Sequence, residues 1–161
     1  MYLKRICIAM LCILCTMLVT GCAGRTSDKD ASIVHFGFSE SGYPSFCEIS
    51  IDRNEKGKYH FSSTAFDPYD DVIVVFDDKD GFIKKKDIDK LEEIINAYDI
   101  NSWDGFHESN LDILDGSAFT LNITYSDGTE VNADGYMVWP EGYDDARDAL
   151  MEHLQRVAEK M

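Results

Sequence analysis

From Ile33 onward, apolar and polar residues alternate with a period of two, the pattern of strands with one face in a core and the other in water. Residues 33–38 make a first strand by this criterion, and residues 46–52 and 58–63 make a hairpin around Glu55-Lys56-Gly57. Residues 72–76, a continuous β-branched and aromatic run, predict a more buried strand. The clearest alternation is Ala118–Tyr125, where Phe119, Leu121, Ile123 and Tyr125 interleave with Thr120, Asn122 and Thr124. Its partner is Glu130–Tyr136, with Val131, Ala133 and Gly135 on one face. Register identifies the turn between them. A two-residue loop at Asp127-Gly128 would set Ile123 opposite Asn132, whereas a three-residue loop at Ser126-Asp127-Gly128 sets Ile123 opposite Val131 and Leu121 opposite Ala133. The second keeps apolar facing apolar and requires Gly128 in the left-handed conformation of a bulged turn. The same rule places Gly57 and pairs Ile51 with Phe61.

Two stretches change to a helical period. Ile88, Leu91, Ile94, Ile95 and Tyr98 fall on one face, with Asp87 or Asp89 as the predicted N-cap. Residues 142–160 carry a stripe of Leu150, Leu154, Val157 and Met161, flanked by Ala146 and Ala149. Asp144 and Asp145 near its start and Arg156 and Lys160 near its end suit the helix dipole. The expected fold is α+β, an antiparallel sheet of about six strands with two helices in the order ββββαββα, as a single domain over residues 33–161.

The N-terminus follows neither period. Lys4 and Arg5 precede an apolar run over residues 6–19 broken only by Thr16. As a helix that run would reach about 21 Å, short of a hydrocarbon core of about 30 Å, so it reads as a secretory signal. Leu18-Val19-Thr20-Gly21-Cys22 closes it and resembles the lipobox of bacterial lipoprotein precursors. That resemblance implies diacylglycerol on the Cys22 thiol, cleavage of residues 1–21, acylation, and attachment to the extracytoplasmic face of the cell membrane. Residues 22–32 are small and polar and read as a lipidated flexible tether, roughly 17 Å long on average and at most about 35 Å.

Composition narrows the function. The chain has a formal charge of −15, and loss of Lys4 and Arg5 with the signal makes it −17. Such acidity argues against nucleic acid as a partner and against lying flat on anionic lipid. Cys7, Cys12 and Cys15 leave with the signal and Cys22 takes lipid, so Cys47 alone remains and no intrachain disulfide forms. Sharing a strand face with Ile49 and Ile51, Cys47 is expected to be buried and inert.

The turns carry a second resemblance. Trp103-Asp104-Gly105-Phe106, Leu114-Asp115-Gly116 with Phe119, Tyr125-Ser126-Asp127-Gly128 and Pro140-Glu141-Gly142-Tyr143 resemble a group of uncharacterised lipoproteins and secreted proteins of Gram-positive, clostridia-like bacteria. The likeness covers about the last 75 residues and implies a fold, with no activity attached.

Catalytic motifs are missing. His35, His60, His107 and His153 lack metal-ligand spacing, and His107-Glu108 fails as a zincin start because Leu111 stands where the second histidine belongs. Neither a G-x-S-x-G elbow nor a phosphate-cradling glycine loop occurs. Asp77, Asp78 and Asp80 invite a calcium reading, but aligning Gly81 with the EF-hand glycine puts Phe76 at the first ligand position. Aromatics remain: Trp103 and Phe106 are expected in the core, and Trp139, Tyr143 and Tyr136 form a candidate binding surface. The resulting expectation is a membrane-anchored cell-surface lipoprotein without cofactor, binding a protein or envelope partner. An envelope enzyme assembled from scattered residues and a calcium-dependent binder using residues 77–89 are the alternatives.

Overall fold

The computed structural model describes residues 31–42, 45–66 and 78–161. Seven strands form one sheet: β1 (Ile33–Gly42), β2 (Ser45–Arg53), β3 (Tyr59–Phe66), β4 (Lys79–Ile83), β5 (His107–Ser109), β6 (Ala118–Tyr125) and β7 (Glu130–Tyr136). Helix α1 (Lys85–Ala97) follows β4, a 3-10 turn occupies Ile100–Trp103, and helix α2 (Tyr143–Ala158) closes the chain. The sheet order is β4-β3-β2-β1-β6-β7-β5, antiparallel throughout except for β5 against β7. The α+β class and the pair of helices are as the periodicity predicts.

Both hairpin registers follow the side-chain logic. Ile123 pairs with Val131 and Leu121 with Ala133, while Ile51 pairs with Phe61. The two turns are built alike. Tyr125 and Asn54 donate their N–H groups to Thr129 and Lys58, and Gly128 and Gly57 donate theirs to Tyr125 and Asn54. Gly128 and Gly57 take φ of 82° and 72°, a region that side-chain-bearing residues enter only at a cost.

One sheet face is the core. Phe36, Phe38, Ile49, Ile51, Phe61 and Leu121 are fully buried there, met by Ile88, Leu91 and Ile95 of α1 and by Leu150 and Leu154 of α2. Each such side chain contributes roughly 1.5–3 kcal/mol of transfer free energy. β1 accommodates a register irregularity between Ile33 and His35, which keeps both Ile33 and Phe36 inside. The expected plugs also hold: Trp103 is buried edge-on against Phe119, and Phe106 packs on the same ring. Cys47 is buried as its strand position requires, and burial together with the Glu40 charge pushes its thiol up to about 11.

The strand expected at 72–76 lies outside the described residues. Elsewhere several expectations need correction. β4 occupies 79–83, a strand the periodicity does not predict, with Gly81 in extended backbone opposite Phe61. Helix α1 starts earlier than expected, with Lys84 as N-cap, three residues before Asp87. Asp87 acts from inside the first turn, its carboxylate accepting the Lys84 N–H at 3.3 Å, and Asp89 pairs with Lys85. Tyr98 and Met161 fall beyond their helices and are exposed. Finally, β5 adds a strand that no periodicity announces, since all three of its residues are exposed.

Candidate functional site

Both helices pack on one face of the sheet, and no described element covers the other. Strand alternation fixes what that open face carries. Its middle is made of short hydroxyl and amide side chains: Ser39, Ser50, Ser62, Thr120, Asn122 and Thr124. Gly37 leaves a depression of about 160 Å³ there, walled by His35, Glu48, Ser50 and Asn122.

Three of the four histidines lie on this face, each bonded to an aspartate of the neighbouring strand. His35 Nδ1 is 2.7 Å from Asp52 Oδ1, between β1 and β2. His60 Nε2 is 3.0 Å from Asp80 Oδ1, between β3 and β4. His107 Nδ1 pairs with Asp134 Oδ1, between β5 and β7. Asp52 also stands directly opposite His60, so β1, β2 and β3 present imidazole, carboxylate and imidazole in one row. Ser50 Oγ donates to Asp52 Oδ2 at 3.2 Å and meets Ser62 Oγ at 3.2 Å. The serine thus bonds the carboxylate and not the imidazole, so the row holds no serine activated by a base. Exposed pairs of this kind contribute only about 0–1 kcal/mol of stability.

The hairpin register made part of this row readable, because pairing Ile51 with Phe61 necessarily places Asp52 opposite His60. The His35–Asp52, His60–Asp80 and His107–Asp134 pairs depend on neighbours that no local pattern supplies.

The aromatic candidates separate. Trp139 is partly exposed and lines a cleft of about 320 Å³ with Pro140, Gly142, Asp144 and Asp145 at the start of α2. Tyr143 is buried beneath it, with ring centroids 6.3 Å apart. The Tyr143 hydroxyl donates to Glu40 Oε1 at 3.0 Å, and the Arg147 guanidinium clamps the same carboxylate at 2.9–3.2 Å. Burial, reinforced by the Glu40 charge, holds the Tyr143 hydroxyl far above its ordinary pKa. Burial works against the Arg147 charge, but the Glu40 carboxylate outweighs it and raises the guanidinium. Tyr143 is therefore a packing and anchoring residue. Tyr136 lies on the opposite face, accepting the Gly116 N–H and donating to the Ile113 carbonyl, and so pins the loop after β5. The three aromatics do not form one surface.

Cys22 and Asp77 lie outside the described residues. Asp78 is exposed beside β4, and Asp80 is engaged by His60. Among the described residues no three metal-ligating side chains converge. In comparisons with known proteins, no family model, curated protein or solved structure matches this chain.

Proposed function

We propose that this protein is an exported lipoprotein, anchored to the cell membrane through Cys22, whose domain works by binding rather than by catalysis. Its working surface is the open face of the sheet, and its partner is a component of the cell envelope. The observation that supports this most is the one-sided covering of the sheet. A broad face rich in hydrogen-bonding groups stands free of any described element, while both helices serve the core. The lipobox-like Leu18-Val19-Thr20-Gly21-Cys22 supports the anchor, and the short tether keeps the domain within reach of the bilayer.

A photo-crosslinking residue at Ser50 or Asn122, on the open face, tests the reading against the same residue at Glu93 or Glu152 on the helices. Adducts in intact cells from the first two positions and not from the last two are expected. Adducts confined to the helix positions would overturn the assignment of the surface.

A further inference from the structure

The charge on the open face is one-sided. Across all seven strands its positions include five carboxylates, Glu48, Asp52, Asp80, Glu130 and Asp134, and no lysine or arginine. Lys58, one residue before β3, lies at the end of this face with Nζ 5.7 Å from the Phe82 ring centroid. The chain as a whole has 15 lysines and arginines, so their exclusion from an entire sheet face is a property of that face. The carboxylates run from β4 to β7, five strand spacings apart in the sheet order, or about 24 Å. No single small cation spans that distance. A polypeptide presenting several lysines or arginines does.

We infer that the open face docks a basic polypeptide. This rests on the binding role given above and names the chemistry of the partner. Opposite potentials speed the encounter and reject acidic competitors. Short serine and threonine side chains leave the carboxylates accessible, and the exposed Phe82, Phe46 and Phe66 rings offer apolar contact at the β4 side for the stems of long basic side chains. Each of the three histidines is bonded to one of the face's own aspartates, which leaves Glu48 and Glu130 as the carboxylates of the face without an imidazole beside them.

Fluorescence anisotropy with dye-labelled decalysine and the full-length protein in detergent tests the inference at low salt. The wild type is expected to bind at pH 7.5, and Glu48→Gln with Glu130→Gln to weaken binding about fivefold. Asp144→Asn with Asp145→Asn, on the helix side, is expected to change it less than about twofold. No binding by the wild type, or equal losses in the two double variants, would overturn it. Crosslinks from Ser50 that reach a partner lacking basic residues would also overturn it, while leaving the binding role intact.

Discussion

At the scale of single residues, backbone strain and burial decide the outcomes. Gly128 sits at φ 82° with open space where a Cβ would stand, so Gly128→Ala costs backbone strain alone. A loss of about 1 kcal/mol in urea unfolding is expected, with the β6–β7 register unchanged. Gly135 is the opposite case: φ is ordinary, but a Cβ would meet the Val138 carbonyl at 2.2 Å and the Phe119 ring at 2.6 Å, so its alanine variant is expected to be the more damaging of the two. His153 is buried in α2 and donates Nε2–H to the Asp87 carbonyl at 2.8 Å. Burial lowers its pKa below the ordinary value of about 6.5. Between those two values the unfolded chain binds more protons than the folded one, so His153 makes stability fall as pH drops through that window and adds no further slope below it. Replacing it by Gln, which also donates N–H, is expected to flatten that part of the stability–pH curve. An unchanged slope would show that His153 is not the group responsible.

Elements were legible where one face of the pattern was pure. β6, β7 and both glycine turns can be read from sequence to the residue because a one-place slip would turn Leu121, Ile123 and Val131 to solvent. The start of α1 escapes the capping rule because Asp87 stabilises the first turn from its third position, reaching back to Lys84 rather than capping from outside. β5 was illegible since a three-residue exposed strand has no period to show. Glu40 was likewise hidden: it breaks the apolar face of β1 after Phe36 and Phe38, and only α2, more than a hundred residues away, brings Arg147 and Tyr143 to it. This clamp ties the sheet to the second helix, and it responds to charge imbalance more than to charge itself. Arg147→Met is expected to cost about 2–4 kcal/mol because it strands the half-buried Glu40 carboxylate. Adding Glu40→Leu to that variant is expected to recover part of the loss. A double variant as unstable as the sum of both singles would contradict this account.

For the whole molecule, the layered plan follows from the sequence, and the proposed binding surface follows from the sheet face that no described element covers. The alternation of β1, β2, β3 and β6 that identifies the core lists the open face at the same time, since every other residue must point away. What alternation alone leaves out is which strands become neighbours, and that is what joins His35 to Asp52 and His107 to Asp134. Calcium has little to hold in residues 78–89: Gly81 is extended in β4, not turned, and Asp80 is engaged. Millimolar calcium is therefore expected to leave the melting temperature unchanged, and a rise of several degrees would restore the calcium reading.

Cysteine accessibility on intact cells tests the central claim most directly. Ser50→Cys, in the middle of the open face, should react with a small charged maleimide on cells that have not been lysed, and in the purified folded protein about as fast as Glu93→Cys on α1, whereas the native protein should not react through buried Cys47. Labelling of Ser50→Cys only after cell lysis would contradict export. Its protection in the purified folded protein, relieved only by denaturant, would mean that the face is not open.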